Sequence, residues 1–207
     1  MREESIGGWL DELASAAPAP GGGAAAALEA AAGAALVEMV CNLTIGKPAY
    51  AEHEDTMTAV RERAGKIRGE ALGLAAEDAA AFTAVIAAYR LPKATEAEIA
   101  ERTRSIQSAL AEAADVPRRT AAAASTVLDL AAEIIPGGNV NVISDAAAAA
   151  AAARGALQTA LVNIEVNAAS ISDPGLKDSL ADAVREIERD LARADAIVAS
   201  VRERLAA

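Results

Sequence analysis

Aromatic side chains are nearly missing from this chain: one Phe, two Tyr and one Trp, 2% of 207 residues. A core without rings must be filled by small aliphatic groups, and alanine dominates the 53% hydrophobic fraction. Alanine-lined helices pack closely but bury little apolar area per residue, so an oligomer interface is expected to add stability. Cysteine is scarce too. A lone Cys41 excludes an intramolecular disulfide and suits a reducing cytoplasm. With one cysteine and one histidine, His53, no zinc site and no Cys/His nucleophile pair can be assembled within a subunit. The paired Glu-x-x-His of a di-iron bundle is also absent, so no metal is expected. His53, inside Glu52-His53-Glu54, reads as a solvated capping residue.

Positive charge is in short supply: 19 Lys and Arg face 30 Asp and Glu, a formal net charge of −11. That balance argues against nucleic acid and against an anionic membrane surface as partners. The start, Met1-Arg2-Glu3-Glu4-Ser5, has no basic n-region and no apolar h-region, so no secretory signal is read and a cytoplasmic location is expected. The most apolar stretches are Ala24 to Thr44 and Ala146 to Ile164. Glu29 and Glu38 interrupt the first and Arg154 the second, so neither reads as a membrane span.

Strand signals are missing as well: there is no alternating run of β-branched residues and no Asn-Gly hairpin turn. What is present is helix, in one domain covering 1–207 with about seven helices. The first runs from Ser5 to Ala16 and the second from Ala24 to Leu43, stopping at Gly46-Lys47-Pro48. The third runs from Glu52 to Tyr89. Thr95-Glu96-Ala97-Glu98 is a capping box that opens the fourth. Pro117 kinks the chain or restarts it into a fifth helix, which ends at Pro136-Gly137-Gly138. The sixth covers Asp145 to Ile171. Asp173 before Pro174 caps the seventh, whose seam of Leu180, Val184, Ile187, Leu191, Ala194, Val198, Val201 and Leu205 packs lengthwise on a neighbour.

Three places break these patterns. Pro18-Ala19-Pro20-Gly21-Gly22-Gly23 leads directly into an alanine helix; it is either a turn or a loop that brings backbone N–H groups to an anion at a helix N-terminus. No Lys-Ser/Thr follows it and no strand precedes it, so it is neither a P-loop nor a dinucleotide fingerprint. In the third helix, Val60, Ala64, Ile67, Ala71 and Leu74 form an apolar seam continued by Ala81, Val85 and Ala88, and Asp78 stands where that seam calls for an apolar residue. A desolvated carboxylate has a raised pKa and serves as a general acid or base; the alternative is that Asp78 sits at the seam edge and accepts a hydrogen bond from a neighbouring helix end. Asn163 and Asn167, one turn apart beside Ala156, Ala160 and Ser170, either allow close helix approach or bond a ligand. Pro136-Gly137-Gly138-Asn139 before Ser144-Asp145 is a second glycine-rich helix entry.

In order along the chain stand Pro20-Gly21-Gly22-Gly23, Thr44-Ile45-Gly46-Lys47, Asp78-Ala79-Ala80-Ala81-Phe82 and Arg90-Leu91-Pro92-Lys93. Val116-Pro117, Gly138-Asn139 with Ser144-Asp145, and Asn163-Ile164-Glu165-Val166-Asn167 follow. With these segments, over nearly its whole length, the chain resembles the cyclodeaminase/cyclohydrolase family of folate one-carbon enzymes. Ala24 stands where family members often carry Ser, Ile45 where some carry an aromatic residue, and Ile143 where some carry Arg. The resemblance implies an all-α multihelical bundle, an intimate homodimer and a tetrahydrofolate derivative as substrate, with no further cofactor. It implies formiminotetrahydrofolate cyclodeaminase activity, forming 5,10-methenyltetrahydrofolate and ammonia; the alternatives are methenyltetrahydrofolate cyclohydrolase and a non-catalytic helical folate-binding or scaffold protein. Asp78 and Lys47 would be catalytic, Lys47 supplying positive charge near the folate or orienting Asp78. Gly21, Gly22, Gly23, Asn139, Ser144, Asp145, Asn163 and Asn167 would bind the substrate.

Overall fold

The computed structural model describes residues 5–206. Met1 to Glu4, on which the reading of the N-terminus mainly rests, lie outside the described residues, as does Ala207. The described chain is six α-helices and two short 3-10 turns: α1 Ile6–Leu13, α2 Gly22–Asn42, α3 Glu54–Tyr89, α4 Glu96–Ile134, α5 Ser144–Ser170 and α6 Pro174–Ala206. The turns, Pro48–His53 and Val140–Val142, lie at the ends of the α2–α3 and α4–α5 connections.

Short connections force consecutive long helices to run antiparallel, and α2 to α5 form a ring in which α2 packs on α3 and α5, and α4 packs on the same two. α6 lies outside, against α5 and α4. Its heptad seam faces inward from Leu180 to Val201, with Leu180, Ile187, Ala194 and Val201 buried and Val184, Leu191 and Val198 packed against the core, but its expected last member, Leu205, is exposed at the end of the helix. By length and composition α2 could also cross a membrane, as could the Pro48–Tyr89 stretch, and about half of the apolar α2 window is buried inside the fold. Close approach to α2 depends on Gly33, where an added Cβ would sit 3.0 Å from Val127 of α4 and 3.1 Å from the Ala149 carbonyl of α5.

The capping signals hold. Thr95 Oγ1 accepts the Glu98 N–H at 3.2 Å while Glu98 accepts the Thr95 N–H at 3.0 Å, and Asp173 accepts the Leu176 N–H at 3.0 Å. Pro117 behaves differently from the expected restart, because α4 runs through it without interruption. Proline lacks the N–H that would bond the Ala113 carbonyl one turn back. That carbonyl instead accepts the Asn167 side-chain N–H from α5 at 3.3 Å, so the defect is repaired by a neighbouring helix.

Candidate functional site

The N-terminus of α2 has no side-chain cap of its own, since Gly21 occupies the N-cap position. Asp78 on the adjacent α3 lies against that end, and of the orphan N–H groups the Ala24 N–H faces the carboxylate. Gly23 makes this approach possible. A Cβ there would lie within 2.5 Å of Asp78 Cγ, so any side chain would expel the carboxylate. Asp78 is half-buried; desolvation pushes its carboxyl above the ordinary value, and the Ala24 N–H pulls the other way without cancelling the rise. Asp78 thus lies against a helix end, as one of the two expectations has it, and burial raises its pKa.

Asp78 and all three loop glycines line a cavity of about 370 Å³. Its other walls are Phe82, Val85 and Tyr89 along α3, Leu110, Ala113 and Pro117 on α4, and Asn163, Val166, Asn167 and Ser170 on α5, with Pro18 and Ala19 at the loop. Asn163 spends its side-chain N–H on the Thr159 carbonyl at 2.9 Å, and Asn167 spends its own on Ala113. Their amide oxygens stay available to accept from a ligand. The cavity thus combines one proton-transfer group, amide acceptors and a largely apolar wall, the usual make-up of a small-molecule site. Among the described residues no cluster of His, Cys, Asp and Glu could hold a metal ion. A second cavity of about 390 Å³ lies between α4 and α6 and is lined by Asp182, Glu186 and Asp190 with Arg118. Negative charge dominates it and it contains none of the pattern-breaking residues.

The remaining sequence-predicted residues lie at the opposite end of the bundle. α2 extends 19 residues from Gly23 to Asn42, about 28 Å of helix, and Lys47 follows beyond it. Lys47 is exposed at the start of the Pro48–His53 turn, so within one chain it does not reach Asp78. Asn139 is buried and fully engaged: its backbone N–H donates to Thr44 Oγ1 at 3.0 Å, its amide to the Leu43 carbonyl at 2.8 Å, and its oxygen accepts from Asn141 N at 3.1 Å and Tyr50 OH at 3.3 Å. That network ties the end of α2 to the α4–α5 connection. Ser144 and Asp145 form the first turn of α5 beside it. His53 is the N-cap residue of α3 but makes no side-chain cap bond; it sits 3.4 Å from Glu52, about a third exposed.

Sequence reasoning did not place Phe82 and Tyr89 in the site. Their signal is that two of the chain's four aromatic residues stay about half exposed, at 46% and 47%, on one face of one helix.

Comparison with known proteins extends the reading. The sequence profile described as formiminotransferase-cyclodeaminase matches residues 5–186. The chain is 44% identical over 194 residues to a methenyltetrahydrofolate cyclohydrolase of Methylorubrum extorquens, covering 94% of this chain and 92% of that one. It is 29% identical over 178 residues to the formimidoyltransferase-cyclodeaminase of Rattus norvegicus, covering 86% of this chain and only 33% of that longer protein. The crystal structure of a formiminotetrahydrofolate cyclodeaminase from Thermotoga maritima superposes with a TM-score of 0.88 at 29% identity, covering 100% of this chain and 99% of that one.

Proposed function

The chain belongs to the formiminotransferase-cyclodeaminase family, and from that premise we propose that it is an enzyme of folate one-carbon metabolism acting at the methenyl carbon of tetrahydrofolate. The observation that carries the proposal is the Asp78 carboxylate, held with a raised pKa against Gly23 inside a cavity also lined by Asn163 and Asn167. The 44% identical relative, similar over nearly its full length, supports 5,10-methenyltetrahydrofolate cyclohydrolase as the activity. In that reaction water attacks the cationic methenyl carbon, Asp78 takes one of its protons and passes it to the ring nitrogen as the carbon–nitrogen bond breaks, and the second water proton is released to solvent as the formyl C=O forms on the other nitrogen. Asn163 and Asn167 accept from the amino and N–H groups of the pterin edge, and the glycine loop offers backbone donors.

The solved structure of similar fold supports a second reading, cyclodeaminase. There the N10 amine attacks the carbon of the protonated formimino group of 5-formiminotetrahydrofolate, Asp78 moves the N10 proton to the terminal nitrogen, and that nitrogen leaves as ammonia to give the methenyl cation. The proton shuttle is the same in both reactions. The proposal includes a cytoplasmic homodimer that needs no cofactor beyond the folate, with neither nucleic acid nor membrane as a partner. Exposed Met39 and Leu43 at one end of the α2/α5 face, and Val162 and Val166 at the other, support the homodimer. An antiparallel two-fold pairing across this face would set each pair on the other and bring Lys47 of the partner subunit towards Asp78.

Methenyl absorbance separates the readings. Its loss from 5,10-methenyltetrahydrofolate above the uncatalysed rate indicates the cyclohydrolase, and its appearance from 5-formiminotetrahydrofolate the cyclodeaminase. No change with either overturns the enzyme reading in favour of a folate-binding or scaffold protein. A monomer in sedimentation at micromolar concentration overturns the homodimer.

A further inference from the structure

Phe82, Val85 and Tyr89 stand on one face of α3, leading away from Asp78 to the helix end, a run of 11 residues or about 16 Å. The other two aromatics are structural: Trp9 is buried against α2 and α3, and Tyr50 belongs to the Asn139 network. Keeping two of four rings half exposed along one cavity wall is what a flat apolar ligand group requires. At the far end Arg102 of α4 donates to the Tyr89 carbonyl at 3.1 and 3.3 Å and holds its guanidinium 5.6 Å from the centre of the Tyr89 ring. Among the described residues most arginines are drawn into ion pairs, Arg63 with Glu133 and Arg154 with Asp195 among them, while Arg61, Arg90, Arg202 and Arg204 share with Arg102 the lack of one. Arg102 has no carboxylate partner among the described residues, and its other N–H groups keep their capacity for an anion.

From this arrangement we propose that Arg102 is a specificity residue that receives the carboxylates of the substrate's glutamyl tail, while Phe82 and Tyr89 take up the aryl ring between that tail and the reacting carbon. The inference rests on the folate reading. A tetrahydrofolate is long, with its reactive carbon at one end, an aryl amide in the middle and a glutamate at the other end. Along the cavity wall the order is the same, Asp78 and then the rings, and Arg102 adjoins Tyr89 just beyond that wall. In a chain of net charge −11, a tail with two carboxylates needs a local cation to offset the global field. A guanidinium is suited to this because it grips a carboxylate with two N–H groups at once.

The test compares the full-length protein with Arg102→Gln and Arg102→Lys, using 5,10-methenyltetrahydrofolate and a pteroate analogue that lacks the glutamate. Arg102→Gln is expected to raise KM for the glutamate-bearing substrate by about 10-fold or more, with kcat within about twofold, as for loss of a charge-assisted bond. KM for the pteroate analogue should not move, and Arg102→Lys should recover part of the loss. Equal weakening with both substrates, or no change with either, overturns the proposal, since a purely structural Arg102 cannot distinguish them. Titration calorimetry with p-aminobenzoyl-glutamate separates this from the activity itself. If no folate is turned over but wild type binds the aryl-glutamate about 10-fold more tightly than Arg102→Gln, the subsite stands and only the reaction was misread. If turnover is present and neither KM nor this binding depends on Arg102, the subsite is overturned and the reaction stands.

Discussion

Asn167 supplies from α5 the hydrogen bond that Pro117 cannot make within α4: its side-chain N–H meets the Ala113 carbonyl that proline leaves unpaired. One amide thereby keeps a 39-residue helix continuous and brings its own oxygen to the cavity wall. Removing it strands a carbonyl at a cost of about 1–3 kcal/mol. In urea denaturation, Asn167→Ala should lose about that much stability. Pro117→Ala, which returns an N–H to the helix, should cost little and should absorb most of the Asn167→Ala penalty when the two are combined. Additivity of the two changes to within about 0.5 kcal/mol would show that they are not linked.

The contact between Gly23 and Asp78 gives a second expectation. A Cβ at Gly23 overlaps the carboxylate, but the atoms in its way are the far end of one side chain, which can swing out. Gly23→Ala should therefore fold, with helical content and melting close to wild type, and lose turnover by about 10²-fold or more because the proton carrier is displaced. Wild-type turnover in a folded Gly23→Ala would mean that the position of Asp78 at the α2 end does not matter to the chemistry.

Asp78 itself should be a site where activity and stability oppose each other. Its folded pKa lies above the value of about 3.8 in the unfolded chain, so in the window above 3.8 the folded state holds the proton that the unfolded state has released. Stability falls as pH rises through that window, and above it the desolvated carboxylate weakens the fold. Asp78→Asn keeps an oxygen for the Ala24 N–H and carries no charge. It should melt higher than wild type at pH 7, the gain should shrink as pH falls towards the unfolded value, and turnover should drop by about 10²–10⁴. A variant that melts lower than wild type at pH 7, with the gap unchanged by acid, would mean that the carboxylate stabilises the fold.

How far the sequence could be read follows from the range of the forces involved. The capping box at Thr95, the cap at Asp173 and the α6 seam depend on neighbours within a turn or two; both caps are found as expected, and the seam as far as Val201, with Leu205 left exposed. The fate of Pro117 depends on a partner 50 residues further along, which no local pattern announces. Asp78 was legible because it interrupts an apolar period. The grouping of the site was not. Long antiparallel helices carry the chain from end to end, so successive motifs alternate: Gly23 at one end, Lys47 at the other, then Asp78, Asn139 and Asn163 in turn. Linear order gave no warning of that separation.

Cys41 provides a clock for the opening of the core. It is fully buried near the end of α2, and burial pushes its thiol up to about 11, only partly offset by Arg61. Two barriers therefore protect it, lack of access and lack of thiolate, since only the ionised form attacks a disulfide reagent. At pH 8 the native protein should give almost no reaction with an aromatic disulfide reagent, whereas protein unfolded in urea should release one equivalent at once. At sub-denaturing urea the labelling rate should follow the unfolding equilibrium, because Cys41 belongs to the main buried core, where α2 packs on α3, α4 and α5. Rapid labelling without denaturant, at a rate indifferent to urea, would place a local opening at the α2 end and detach Cys41 from the cooperative core.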